Sequence, residues 1–192
     1  MYSFLCATAD PKHVCERLRT YDFHPEESQA TGCTMWEAAR ATSAAPVYFP
    51  PMEINGQTYF DGGMKRNNPV IEVIRETHLL YGEHVPFRIV LSIGTGRTEP
   101  SSMGSGIVGI MKKVIWDTTN TEKDHQECLS TYPMLPYYRL NGGEDLAKID
   151  LADFSKIGDI EKIAREYIRS EEGSTLIEEC ARTLANTQQR SV

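Results

Sequence analysis

The segment from Ala38 to Val70 contains the feature that most constrains the fold, an aspartate at the end of a short strand and directly before two glycines. Asn55-Gly56 predicts a tight turn. The β-prone run Thr58-Tyr59-Phe60 that follows predicts a strand leading to Asp61. A carboxylate in this position can reach out of a packed sheet edge and accept a proton.

Helix signals stand on both sides of this strand. Thr34-Met35-Trp36-Glu37 has the T-x-x-E form of a capping box and predicts a helix start, continued by the strong helix formers at 38–41. Prolines at 46, 50 and 51 cannot continue that helix and predict an extended path. Asn68-Pro69 predicts a second helix start, with Val70, Val73, Ile74 and Thr77 on one face and an end near Gly82.

Strand signals alternate with these helices. Residues 2–8 predict a strand already under way at the start of the chain, and residues 19–23 predict a second. The run 87–93, FRIVLSI, is almost entirely apolar and predicts a central strand covered on both faces. The pattern therefore predicts an α/β fold, layered around a mainly parallel sheet, whose N-terminal part is missing.

The last third of the sequence is helical in pattern. Apolar residues recur at helical spacing over 160–168 and again over 177–184, which predicts two amphipathic packing helices.

The 192 residues suit one domain with its own core, and we predict a single partial domain over 1–192. The patch Tyr132–Tyr138, rich in aromatic residues and proline, could line an acyl-chain groove, contact a membrane surface or form a loop packed on the core, and we favour the loop.

Charge and cysteine usage exclude several classes of protein. The net charge of −7 disfavours a nucleic-acid partner. Five sparse cysteines without C-x-x-C spacing predict a reduced, cytoplasmic protein without a disulfide framework. No apolar run approaches the roughly 18 residues that cross a bilayer, so we expect at most peripheral contact with a membrane.

Two possible cofactor signals are weak. The five histidines lack H-x-x-x-H or H-E-x-x-H spacing, so no metal site is expected. Residues 104–109 spell G-x-G-x-x-G, but ten residues separate them from the nearest strong strand, whereas a dinucleotide site needs the motif directly after a strand. A loop before a helix is the better interpretation, and we predict no cofactor.

Four pieces of this sequence, in order, resemble the C-terminal half of the patatin-like phospholipase domain. They are Ala41-Thr42-Ser43-Ala44-Ala45-Pro46, Asp61-Gly62-Gly63, Asn67-Asn68-Pro69 and Ser92-Ile93-Gly94-Thr95-Gly96. The resemblance covers residues 1–100 best and is closer to fungal multidomain members than to plant storage patatins. It implies hydrolysis of acyl lipids at a membrane or micelle surface by a Ser–Asp dyad, in a protein with further domains.

By this resemblance Asp61 is the general base, Gly62 and Gly63 shape the site, and Ser43 has a packing or capping role. The nucleophile belongs to a G-x-S-x-G elbow, which these 192 residues do not contain. We therefore expect the chain to be inactive alone. The alternative is a truncated, non-catalytic lipid-binding or regulatory protein.

Overall fold

The computed structural model describes residues 2–22, 32–46, 48–96, 121–142, 145–146, 148–149 and 153–188. These residues form two compact units. The first contains the described residues of 2–73 with 121–124, and the second those of 74–96 with 125–188. The G-x-G-x-x-G run at 104–109 lies outside the described residues.

The first unit is built on a four-stranded sheet. Its strands are β1 (Phe4–Asp10), β2 (Val14–Arg19), β3 (Met52–Ile54) and β4 (Gln57–Asp61), in the order β2-β1-β4-β3. All three pairings are antiparallel. Two of them are hairpins with short connections, which parallel strands cannot use. Parallel pairing, expected to dominate, occurs among the described residues only in the second unit.

The two N-terminal strand predictions fare differently. The strand predicted over 2–8 is confirmed as β1. The second strand is Val14–Arg19, because a turn around His13, with φ of 51°, sends the chain straight back along β1. The prediction of 19–23 was therefore wrong over 20–22, while Phe23 lies outside the described residues.

Helix α1 (Met35–Thr42) covers one face of this sheet and confirms the capping-box prediction. The Glu37 carboxylate accepts hydrogen bonds from the backbone N–H (2.7 Å) and the hydroxyl (2.6 Å) of Thr34. The predicted turn at Asn55-Gly56 is also confirmed, with φ of 52° and 78°. The helix and sheet share a small core: Ala7, Ala9, Leu18, Ala38, Ala41, Ile54 and Tyr59.

Two helices follow β4. Helix α2 (Gly63–Arg66) is one turn long, and α3 (Val70–Tyr81) begins after Asn68-Pro69 as predicted. The chain leaves α3 at Gly82, whose φ is 92°. The buried residues near its start are Val70, Ile71 and Ile74, whereas Val73, expected on the same face, is 37% exposed.

The second unit contains a two-stranded parallel sheet, β5 (Val90–Gly94) with β6 (Tyr137–Asn141). The expected covering of β5 on both faces is not found among the described residues. Val90 is buried, but Leu91 is 45% and Ile93 76% exposed. Together the two units confirm the α/β class.

The described residues contain three further α-helices: α4 (Thr121–Thr131), α5 (Ile157–Arg169) and α6 (Glu171–Gln188). The last two confirm the amphipathic helices expected from 160–168 and 177–184. The Tyr132–Tyr138 patch is divided between the loop after α4 and the start of β6, where the Tyr138 hydroxyl bonds to Thr183 of α6 (2.7 Å). None of the described helices combines the length and apolar character needed to cross a membrane.

Candidate active site around Asp61

Asp61 is the last residue of β4 and lies opposite Ala7 of β1. Its backbone is held from two sides. The Asp61 N–H donates to the Ala44 carbonyl just after α1 (3.1 Å), and the Asp61 carbonyl accepts a hydrogen bond from the Thr8 hydroxyl (2.8 Å). The sequence prediction of a strand leading to this aspartate is confirmed. The two hydrogen bonds hold the backbone from which the carboxylate projects.

The Asp61 side chain is partly buried and makes one short hydrogen bond. Its Oδ1 accepts from the Gly63 N–H at 2.6 Å. Within the described residues, no hydrogen-bond donor or cation contacts the other oxygen, Oδ2. Burial raises the pKa of Asp61, and the Gly63 N–H opposes that shift. Burial without a counter-charge makes a carboxylate a stronger base.

Gly62 is required by space rather than by unusual backbone angles, whereas a side chain at Gly63 would only push other side chains aside. Gly62 has φ of −61° and ψ of −29°, which any residue adopts, but it is buried, and a Cβ there would overlap the Cys6 carbonyl. A Cβ on Gly63 would lie 2.9 Å from Asp61 Oδ1 and 3.2 Å from the Asn67 side-chain oxygen. The D-G-G run therefore lets the chain turn tightly beside the carboxylate.

Two threonines that sequence reasoning missed support this turn. The first is Thr8, described above, and the second is Thr42. The Thr42 hydroxyl donates a hydrogen bond to the Cys6 carbonyl (2.6 Å), and the Thr42 carbonyl accepts one from the Gly62 N–H (3.4 Å). No local pattern identifies such residues, because their partners are distant in sequence. Ser43 ends α1 and donates its hydroxyl to the Ala39 carbonyl (2.8 Å), which fits the capping role expected of it.

The chain has clear relatives. The family described as patatin-like phospholipase matches residues 6–74, a range that includes most of β1, all of α1 and the whole Asp61 turn. Residues 6–74 therefore belong to the patatin-like phospholipase family. The patatin-like segment also contains both supporting threonines.

Individual relatives agree with this assignment. Human calcium-independent phospholipase A2-gamma is 34% identical over 116 residues, which is 57% of this chain and 15% of that protein. The rabbit protein of the same name is 34% identical over 132 residues, 65% of this chain. Phospholipase A I of Arabidopsis thaliana is 32% identical over 123 residues, 61% of this chain and 9% of its own length. The chain thus spans a small part of each relative.

A buried cluster of charges holds the one-turn helix after the patatin-like D-G-G turn. Arg66 of α2 contacts Asp124 (2.7 Å) and Glu72 of α3 (3.2 Å), and Glu72 also contacts Arg17 of β2 (3.1 Å). Both carboxylates are at most 7% exposed. Buried charges of this kind are stable only when paired, so the cluster fixes α2, and with it Gly63, relative to the sheet.

The described part of the chain contains no group of three His, Cys, Asp or Glu side chains placed to hold a metal ion. The buried carboxylates of Glu72 and Asp124 are bound to arginine instead. The described groups that bond to Asp61 are the Gly63 N–H, the Thr8 hydroxyl and the Ala44 carbonyl. This environment suits proton transfer by the carboxylate.

Proposed function

We propose that this chain is the aspartate-bearing part of a patatin-like lipid acyl hydrolase, with residues 1–192 forming one partial domain. The observation that carries the proposal is the position of Asp61, a partly buried carboxylate at a strand end with one oxygen anchored by Gly63 and the other uncontacted by described residues. The family and the phospholipase names of the relatives support the reaction class.

In the proposed reaction Asp61 acts as general base for a serine outside this chain. Asp61 takes the serine hydroxyl proton while the serine oxygen bonds to the ester carbonyl carbon, and the departing alcohol then recovers that proton as the ester bond breaks. Water next attacks the acyl-serine, giving its proton to Asp61. The fatty acid leaves and the serine is reprotonated.

The missing serine explains why we expect the isolated chain to be inactive. None of its serines lies in a G-x-S-x-G elbow, and Ser43 is bonded to its own helix. Without a nucleophile there is no covalent route. Substrates of the whole protein would be phospholipids or other acyl lipids presented at a membrane or micelle surface.

The test compares two proteins. The purified 192-residue chain should give no hydrolysis of a short-chain p-nitrophenyl ester and no label from a fluorophosphonate probe. A longer protein that includes the coding region upstream should do both, and Asp61→Asn should lower its kcat by about 10²–10⁴ while the protein still folds. Hydrolysis by the short chain, abolished in Asp61→Asn, would refute the proposal. An upstream region without a G-x-S-x-G would favour the non-catalytic alternative.

A further inference from the structure

The first unit contains a cavity of about 630 Å³ that does not include Asp61, Gly62 or Gly63. It lies where the ends of β1 and β2 meet the start of α1. This volume falls within the range of about 300–1,000 Å³ typical of small-molecule sites. No step of the proposed hydrolysis uses it.

The cavity floor is apolar. Leu18 and Ala38 line it and are only 2% and 7% exposed, so they form its inner end. Leu5 and Met35 also line it but are 40% and 84% exposed, so apolar surface continues from the floor to the mouth. An apolar lining that runs from buried to exposed residues suits a hydrocarbon chain, which gains affinity from each methylene group removed from water.

The two charged residues of the described lining lie at the end of β2 and just after it. Arg19, Tyr21 and Asp22 supply one guanidinium, one aromatic ring and one carboxylate. The backbone between them is anchored, because Thr20 N–H donates to the Ser3 carbonyl (2.9 Å) and Ser3 N–H donates to the Thr20 hydroxyl (3.2 Å). The Tyr21 ring also packs edge-on against Tyr2 at 4.7 Å.

One cation and one anion on the same rim complement a ligand that carries both charges. A guanidinium has five N–H donors and can bind phosphate while keeping other contacts. A carboxylate beside an aromatic ring suits a quaternary ammonium group. A fatty acid would pair only with the guanidinium, and a cationic amphiphile only with the carboxylate.

We propose that this cavity binds one molecule of a single-chain zwitterionic lipid, a lysophospholipid or its simpler analogues, with the acyl chain along Leu5, Leu18 and Ala38. The phosphate lies at Arg19, and the ammonium group lies at Asp22 and Tyr21. The site is independent of Asp61, so it stands whether or not the chain belongs to an active hydrolase.

The test uses Cys33, which lines the cavity, as a reporter. Bound lipid should protect Cys33 from maleimide, and mass spectrometry distinguishes it from Cys15, which does not line the cavity. The hydrogen bond to Cys6 and burial raise the pKa of Cys15 well above its usual range, so Cys15 should label slowly, and its labelling rate, followed over a longer time, should not change with lipid. Burial raises the pKa of Cys33, so labelling is best done at about pH 8.5. The probe is dodecylphosphocholine, kept below its critical micelle concentration.

We expect dodecylphosphocholine to protect Cys33 at lower concentration than dodecanoate or dodecyltrimethylammonium, and each methylene added to the chain to tighten binding by up to about fourfold. Arg19→Gln should weaken the phosphocholine and the carboxylate ligands at least tenfold. Asp22→Asn should weaken the phosphocholine and the trimethylammonium ligands but leave dodecanoate unchanged. Arg165→Gln and Asp159→Asn, on exposed helix surface, should change nothing.

Two outcomes would overturn the proposal. The first is no protection of Cys33, or equal protection of Cys15, in a chain whose urea unfolding transition is intact. The second is dodecanoate binding as tightly as dodecylphosphocholine with no effect of Asp22→Asn. Neither result depends on hydrolysis, so the proposed function is tested separately.

Discussion

Gly62 lies against the backbone carbonyl of Cys6, so closely that a Cβ atom at residue 62 would overlap the carbonyl oxygen. Cys6 belongs to β1 and Gly62 directly precedes α2. This contact sets how near the chain stays to the sheet as it turns after Asp61. The same carbonyl accepts the Thr42 hydroxyl, so one backbone oxygen organises both sides of the turn.

Gly62→Ala should therefore destabilise the chain by about 1–3 kcal/mol, because a backbone carbonyl in a sheet cannot move aside for a methyl group. The measurement is the urea midpoint of the purified chain. Gly158→Ala is the matched control, since Gly158 lies in α5 and has no neighbour within 4 Å of its Cβ position. It should stabilise by about 0.5–1 kcal/mol. Equal effects of the two substitutions would contradict the steric explanation.

Thr42→Val should cost about 1–2 kcal/mol in unfolding free energy, because it keeps the shape of the side chain but removes the hydroxyl that bonds to the Cys6 carbonyl. Thr42→Ser keeps the hydroxyl and should lose less. Urea titrations of the three proteins measure both values. If the valine variant proved as stable as the serine variant, the hydrogen bond would not support the turn.

Arg66→Met should be the most destabilising of these changes, at about 3–5 kcal/mol, because it leaves Glu72 and Asp124 buried with one cation fewer. Arg165→Met is its control. Arg165 pairs with Glu161 on an exposed helix surface, and such pairs contribute under about 1 kcal/mol. Comparable losses in chemical denaturation would show that the cluster contributes no more than a surface pair.

Asp61→Asn should stabilise the isolated chain at neutral pH. Burial raises the pKa of Asp61, so the folded state holds its proton more tightly than the unfolded state, and stability is lost as pH rises through the folded pKa. An amide keeps the Gly63 hydrogen bond without the charge. The gain should stay below about 1 kcal/mol because the carboxylate is partly exposed.

The signature of this effect is its pH dependence. The difference in urea midpoint between Asp61→Asn and the parent should be larger at about pH 7 than at about pH 3, where the parent is protonated as well. Asp159→Asn is the control, because its exposed carboxylate pairs with Lys156 and its loss should stabilise at neither pH. A difference for Asp61→Asn that is the same at both pH values would contradict the raised pKa.

Local sequence signals predicted much of the structure near Asp61. The capping box of α1, the Asn55-Gly56 turn, the strand that ends at Asp61 and the Asn68-Pro69 helix start each depend on neighbouring residues. The geometry of each turn or helix cap is set by its own few residues, so it can be predicted without knowing the rest of the fold. The D-G-G run and the pieces around it also resemble the patatin-like phospholipase family, and that family matches residues 6–74.

Only the tertiary structure decided how these pieces meet. It made the larger sheet antiparallel, gave Gly62 its steric role against Cys6, and joined Arg17 to Glu72 across 55 residues of sequence. It also left Ile93 exposed on a strand whose composition predicts burial. The physical reason is that hydrophobic pattern and turn chemistry act within a few residues, whereas strand pairing, burial and charge pairing depend on which distant segments pack together.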